Sequence, residues 1–293
     1  MTDICIVGGS GLLGCSLIPY LRNSGFKVSC LSRKSISSDY VLVDFQNQKS
    51  LEEVLDACSP KFIINLAALT DVAACEKNPH FAYIANVKVV ESLSQWILKR
   101  KKCHLIHIST DHIYDGPGPH VEKNIRIVNS YAMSKYAGEL AASSVPHTIL
   151  RTNFFGKSMC PSRDSFSDWV FEALVKGSNI SVFNDVHFSP LSISNLIKYI
   201  HNVIENPILG TFNLGSNSGF TKAQFVYTFA KLFDFSTKNV TVSSIEDFDW
   251  NIPRPKDMRM ECSKFESTYL QSELPELESE IYSVKGDYQN EGR

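Results

Sequence analysis

The stretch Ile4-Cys5-Ile6-Val7-Gly8-Gly9-Ser10-Gly11-Leu12-Leu13-Gly14 decides the fold. Its first four residues read as a short buried strand. Residues 12–23 carry helical periodicity, and Gly25 suits the C-cap. Between strand and helix, Gly8, Gly11 and Gly14 form a G-x-x-G-x-x-G pattern. Such a pattern is weak alone and specific in this setting. Gly8 allows the tight turn, Gly11 lets a pyrophosphate approach the backbone, and Gly14 lets the helix pack against the strand. The N–H groups that open the helix then face the phosphates. Gly8, Ser10, Gly11, Leu12, Leu13 and Gly14 are therefore the expected dinucleotide-binding residues.

Outward from this loop, apolar runs at 27–31, 40–43, 62–66, 104–109 and 147–150 read as further strands. They alternate with helical patterns at 51–57, 79–100 and 131–142. Alternation of this kind predicts an α/β fold, a doubly wound parallel sheet of Rossmann type. After Arg151 the rhythm becomes irregular, punctuated by Pro161, Pro190, Pro207, Pro253 and Pro255. Helices are still expected at 194–206 and 221–233, the latter broken at Asp234, and a strand at 210–214 that could join the sheet. The predicted division is 1–152 with 186–214 as the dinucleotide-binding domain, and 153–185 with 215–293 as a smaller substrate-binding lobe. The last ten residues, among them Gly286-Asp287-Tyr288-Gln289-Asn290, are expected to fray.

With 293 residues, 43 % of them hydrophobic and 20 % charged, the chain can bury a sizeable core. A net charge of −2 argues against nucleic-acid binding, which needs clustered excess cations. Lys99-Arg100-Lys101-Lys102 ends a helical stretch, where cations complement the helix dipole on a solvated face. The eight cysteines include no CxxC pair. Cys5, Cys30 and Cys103 fall in or beside apolar runs and read as small buried hydrophobes of a reducing compartment. No signal peptide or membrane-span pattern is visible, so a cytoplasmic location without membrane partners is expected.

The second strand should end beside the adenosine ribose. An acid there would bond a 2′-hydroxyl; the chain has Ser32-Arg33-Lys34 instead. Cations and a hydroxyl suit a 2′-phosphate, so NADP is expected ahead of NAD, a solvated basic turn being the plainer alternative. Asp44, followed by Phe45, is a candidate for the adenine side, or merely caps a turn. Tyr131 and Lys135 stand at i and i+4, on one helix face. A tyrosine that gives a proton near neutral pH needs its pKa brought down from about ten, and a nearby ammonium does so. Ser109-Thr110-Asp111 ends the fifth strand, at the carboxyl edge where ligands of open α/β sheets bind. There the Thr110 hydroxyl can hold a carbonyl oxygen, while Asp111 binds or simply caps.

These motifs, together with Asn65-Leu-Ala-Ala-Leu-Thr70-Asp71, Asn129-Ser-Tyr131-Ala-Met-Ser-Lys135-Tyr-Ala-Gly138-Glu139, Leu150-Arg151-Thr152-Asn153 and Arg254-Pro255-Lys-Asp257, cover nearly the whole chain. In combination they resemble the extended short-chain dehydrogenase/reductases, and within them the dTDP-4-dehydrorhamnose reductases. The resemblance implies reduction of the 4-keto group of a dTDP-4-keto-6-deoxyhexose, with Thr110, Tyr131 and Lys135 catalytic. It implies that Ala67, Ala68 and Thr70 line the cofactor and that Asn86 supports a proton-relay water, although an ordinary helix asparagine reads almost as well. Thr70, Asp71, Thr110, Asp111, Asn153, Phe154 and Arg254 would meet the substrate. A homodimer is an assembly the resemblance allows. No metal-ligand cluster is visible, so no metal is expected.

The chain also departs from the family. Phe154 stands where many relatives carry Trp, and Ile127 where a Pro is frequent. Related sugar dehydratases follow the catalytic Thr with Asp-Glu; here it is Asp111-His112, which disfavours elimination chemistry. His112 reads as a structural histidine ahead of a base. Two other readings stay open. One is a reductase or epimerase for another nucleotide sugar; the other is a regulatory subunit that keeps the fold without catalysis. Retention of Thr110, Tyr131 and Lys135 speaks against the second.

Overall fold

The computed structural model describes residues 2–33, 39–100, 103–249 and 251–289. Its strands are β1 (Ile4–Val7), β2 (Val28–Ser32), β3 (Tyr40–Leu42), β4 (Phe62–Asn65), β5 (His104–Ile108), β6 (His147–Thr152), β7 (Phe154–Phe155), β8 (Ile180–Phe183), β9 (His187–Phe188), β10 (Leu191–Ser192), β11 (Gly210–Leu214), β12 (Phe220–Thr221) and β13 (Val240–Ser243). The helices are α1 (Leu12–Asn23), α2 (Gln48–Cys58), α3 (Val72–Lys77), α4 (Pro79–Tyr83), α5 (Val89–Arg100), α6 (Ser130–Ala142), α7 (Phe166–Lys176), α8 (Ile193–Glu205), α9 (Lys222–Leu232), α10 (Ser263–Tyr269), α11 (Leu277–Ser283) and α12 (Lys285–Gln289).

Seven strands form the main sheet in the order β11-β6-β5-β4-β1-β2-β3. From β6 to β3 every pairing is parallel. Val7 of β1 sits opposite Leu31 of β2 on one side and Asn65 of β4 on the other. The strand order reverses between β1 and β4, the switch point at which open α/β sheets bind ligands. The expected doubly wound sheet is therefore present, and residues 210–214 do join it.

The chain forms two compact units: Met1–Thr110, Asn129–Arg151 and Ile197–Phe212 make the first, and Asp111–Val128, Thr152–Leu196 and Asn213–Arg293 the second. In the first, Val7, Leu31, Ile63, Leu93, Leu105 and Ile149 belong to one core cluster. Residues between parallel strands and covering helices are buried on both sheet faces, which accounts for the continuous apolar runs. The second unit packs around aromatic rings: Phe155, Phe188, Phe225 and Phe229 are all buried. Cys5, Cys30 and Cys103 are buried, as expected of small hydrophobes.

Two expectations need correcting. The single helix at 79–100 is α4 and α5 joined by a π-helical turn, Ile84–Lys88. One extra residue in a turn barely disturbs hydrophobic periodicity, so the sequence carried no signal for it. The chain end does not fray within the described residues: 285–289 form α12 and Tyr288 is buried in the aromatic core. Its tail composition is polar, but one ring is enough to anchor a turn. Lys101 and Lys102 lie outside the described residues; Lys99 and Arg100 pair with Glu52 and Asp56.

Candidate active site

The glycine loop owes its shape to close contacts. Gly8 has φ +82°, and a Cβ there would lie 2.6 Å from the Ala67 nitrogen. A Cβ on Gly14 would lie 2.2 Å from the Gly9 carbonyl oxygen. No larger residue fits either position, so the exits of β1 and β4 meet backbone to backbone. Gly11 precedes α1 without a side-chain cap, and the first turn of α1 holds no acid. The positive end of the helix is thus presented to an anion by backbone alone, a donor set that suits a pyrophosphate. Ser10 and Ser32 share a 2.7 Å hydroxyl hydrogen bond that ties this loop to the end of β2. Arg33 follows and is exposed, while Lys34 lies outside the described residues.

Other predicted cofactor residues also make contacts within the chain. Asp44 is exposed and accepts from the Gln46 N–H at 3.0 Å, so it caps a turn. The Phe45 side chain belongs to the core, which leaves its backbone as the part that could face a ligand. Ala67, Ala68 and Thr70 lie half-buried in the loop after β4. Asp71 caps α3 by accepting from Ala74. Asn86 is fully buried in the π turn. Its Oδ1 accepts from the Leu69 N–H at 2.7 Å, and its Nδ2 donates to the Leu69 carbonyl at 3.0 Å and to Ser134 Oγ at 2.8 Å. These bonds clamp the loop carrying Thr70 onto α6.

α6 starts sharply because Asn129 accepts from the Ala132 N–H and Glu76 accepts from the Ser130 N–H. Tyr131 and Lys135 lie one turn apart, and both are buried. The Lys135 ammonium donates to the Ile108 carbonyl at 2.8 Å, at the last residue of β5 and two before Thr110. Burial brings the Lys135 pKa down to about 8, and the Glu139 carboxylate opposes that shift. Thr110, at the exit of β5, is buried too.

Glu139 is a site residue that the sequence named only as part of a motif. It accepts from Ser109 Oγ and from Arg151, whose Nε lies 3.0 Å from Oε1 and whose Nη2 lies 2.6 Å from Oε2. One carboxylate therefore joins β5 beside Thr110, α6 beside Lys135, and β6.

The second unit gathers another polar group. Asn153 Nδ2 donates to Asp111 Oδ2 at 2.7 Å, and Asp111 is buried. Burial pushes the His112 pKa down; Asp111 works against that, while Lys222 and Arg254 reinforce it. His112 is thus a neutral imidazole within electrostatic range of Asp111, Lys222 and Arg254. Phe154 is half-buried in β7. Lys222 was not expected from the sequence. It is the first residue of α9, and its ammonium lies 3.3 Å from the centre of the Phe188 ring and 4.4 Å from that of Phe166. A lysine opening a helix carries no periodic signal, so only the fold could bring it within electrostatic range of Asp111.

Among the described residues, no three His, Cys, Asp or Glu side chains group as a metal site would need. Nor is any described helix long and apolar enough to cross a membrane.

Comparison with known proteins adds to this geometry. The family model described as the RmlD substrate binding domain matches residues 1–288. A probable low-salt glycan biosynthesis reductase, Agl14, of Haloferax volcanii is 26% identical over 97% of this chain and 97% of its own. The dTDP-4-dehydrorhamnose reductase of Escherichia coli K12 is 24% identical over 91% and 92%. The crystal structure of dTDP-4-dehydrorhamnose reductase from Bacillus anthracis, in complex with NADP, superposes with a TM-score of 0.87 at 24% identity, covering 98% of this chain and 99% of that one.

Proposed function

The chain belongs to the RmlD substrate-binding-domain family, and from that premise we propose that it is an NAD(P)H-dependent reductase of a nucleotide-sugar keto group. The finer proposal is a dTDP-4-keto-6-deoxyhexose reduced at C4, as in dTDP-L-rhamnose formation. One observation carries the reading most. Lys135 and Tyr131 share a buried helix face, and the ammonium is held at the β5 exit that leads to Thr110.

A reduced nicotinamide, when bound, supplies the hydride. The chain's own residues do the rest. Thr110 donates its hydroxyl hydrogen to the keto oxygen and fixes its direction. Tyr131 gives its phenolic proton to the same oxygen as it becomes an alcohol. Lys135, kept charged with the help of Glu139, stabilises the phenolate left behind. The glycine loop and the open end of α1 hold the pyrophosphate. Ser32, Arg33 and Lys34 take the 2′-phosphate, which favours NADP over NAD. Asp111, Asn153 and Arg254 bind the substrate, with Phe154 and Asp71 at its margin.

The test is turnover of NADPH by the purified protein against a panel of 4-keto nucleotide sugars. Oxidation with a dTDP-4-keto-6-deoxy sugar supports the finer proposal. Oxidation only with another nucleotide sugar keeps the reductase and replaces its substrate. Cofactor binding without turnover of any of them points to a regulatory subunit. Tyr131→Phe should slow turnover about a hundredfold or more and leave NADPH affinity nearly intact; unchanged turnover would refute the mechanism.

A further inference from the structure

His107 interrupts the apolar run of β5 between Ile106 and Ile108. The sheet register seats it opposite Asn65 of β4, and Asn65 in turn lies opposite Val7 of β1. Both polar side chains are fully buried. One backbone group settles where their protons are. The Ala67 N–H can only donate, and it donates to Asn65 Oδ1 at 3.2 Å, an Asx turn at the exit of β4. That leaves Asn65 Nδ2 on the side of His107, where it donates to Nδ1 at 3.0 Å. His107 is therefore a neutral imidazole with its proton on Nε2. This Nε2 is buried and has no hydrogen-bond partner among the described residues. It lies beneath Gly138 of α6: a Cβ on Gly138 would stand 3.6 Å from it and 2.4 Å from the Asn86 carbonyl oxygen. An unpaired buried N–H costs stability, and an apolar side chain in this strand would avoid that cost. What the imidazole supplies is its Nδ1 acceptor. Through Asn65 that acceptor fixes the Ala67 nitrogen, the atom that a Cβ on Gly8 would meet at 2.6 Å. The Leu66 N–H is tied to the Val7 carbonyl at 2.8 Å, so the loop after β4 is held from β5 and from β1.

We propose that His107 is a positioning residue for the cofactor: acting through Asn65, it holds the loop after β4 against the glycine loop, in the place where Ala67, Ala68 and Thr70 meet a bound nicotinamide dinucleotide. The assignment rests on the NAD(P)H reading above. His107 itself touches neither cofactor nor substrate. Without its acceptor, Asn65 Nδ2 turns to another partner and lets go of the Ala67 N–H. A cofactor must then rebuild the turn as it binds and leave the Asn65 amide unpaired, which weakens its affinity. Burial pushes the His107 pKa well down, with Lys135 and His147 adding to the effect, so the acceptor is present throughout the working pH range.

The experiment compares wild type, His107→Leu and His107→Asn by fluorescence titration with NADPH and with NADH. The two replacements have nearly the same shape and vacate the same volume, but only the amide puts an acceptor where Nδ1 stands. His107→Leu should bind both cofactors about five- to fiftyfold more weakly. His107→Asn should stay within about threefold of wild type. NADPH and NADH should lose by the same factor, because the loop is not assigned to the 2′-phosphate. Equal affinities of the two variants overturn the proposal, and an equal loss in both marks a packing role. A loss confined to NADPH overturns it as well. Should neither variant fold, the wild type alone decides: long-range proton–nitrogen spectra should place the His107 proton on Nε2, and a proton on Nδ1 overturns the proposal. If the wild type binds neither NADPH nor NADH, the cofactor reading falls and this assignment falls with it. If it binds them and the two variants match, this assignment alone falls.

Discussion

Glu139 and Arg151 form a buried, two-point ion pair, Nε to Oε1 at 3.0 Å and Nη2 to Oε2 at 2.6 Å, with side chains only 3% and 4% exposed. A pair so placed loses its hydration and recovers stability only through geometry. Removing one partner leaves an uncompensated charge, at a cost of about 3–5 kcal/mol. Glu139→Gln and Arg151→Met should each destabilise the first unit by roughly that amount. The double variant should lose clearly less than the sum, because no lone charge remains. Urea unfolding of the four proteins checks this. Additive losses would mean that the two side chains do not act as a pair.

In the proposed mechanism the same carboxylate bears on chemistry through Lys135. That lysine's pKa is brought down to about 8 by burial and held up by Glu139. Its charged form prevails below about pH 8 and is lost above it. The rate constant kcat/KM should therefore fall as pH rises through about 8. In Glu139→Gln the opposing influence is gone, so the alkaline limb should move to lower pH. A pH profile of both proteins with NADPH and substrate measures the shift. A limb that stays in place would show that Lys135 does not feel Glu139, whatever the loss in stability.

Much of this site could be read from the chain, for definable reasons. The glycine loop, Tyr131 with Lys135, and Thr110 are local patterns: each is a spacing on one element, and the element types follow from apolar periodicity. What stayed hidden depends on contacts between elements far apart in sequence. Glu139 meets Arg151 and Ser109 only because α6 lies over β5 and β6. Lys222 comes within electrostatic range of Asp111 across more than a hundred residues of chain. The π turn around Asn86 shifts the register by a single residue, too little for any period to reveal. For Asp44 and Phe45 the sequence left the alternatives open, because the position after a strand looks alike whether it faces a ligand, caps a turn or enters the core.

In the proposed reading, cofactor choice turns on Arg33. It is exposed and directly follows Ser32, whose hydroxyl is fixed by Ser10 at 2.7 Å. A phosphate bound by Arg33 through charge-assisted hydrogen bonds would be worth about 1.5–3 kcal/mol per strong bond. Arg33→Ala should therefore weaken NADPH about ten- to a hundredfold and leave NADH within a factor of about two. Fluorescence titration with both cofactors separates the cases. An equal loss for the two would place Arg33 on something other than the 2′-phosphate.

The chain's end makes a last, structural prediction. Tyr288 inserts its ring among Phe171, Phe229 and Phe233, with ring centres 4.8, 5.5 and 6.0 Å away. Its hydroxyl donates to Asp168 Oδ1 at 2.8 Å and lies 2.9 Å from Ser167 Oγ. Burial pushes the phenol's pKa well up, so it remains a neutral donor throughout the working range. Ring and hydroxyl can be separated by experiment. Tyr288→Phe keeps the packing and leaves a buried carboxylate oxygen short of a donor, which should cost the second unit about 1–3 kcal/mol. Tyr288→Ala also opens a cavity among the phenylalanines and should cost about 3–5 kcal/mol. Asp168 shares the Ser165 capping box of α7, so both variants should loosen the start of that helix first. Hydrogen exchange at the first turn of α7, with denaturant unfolding for the totals, reads both effects. Protection there equal to wild type in Tyr288→Ala would mean that the terminal turn only rests on the core and does not hold it.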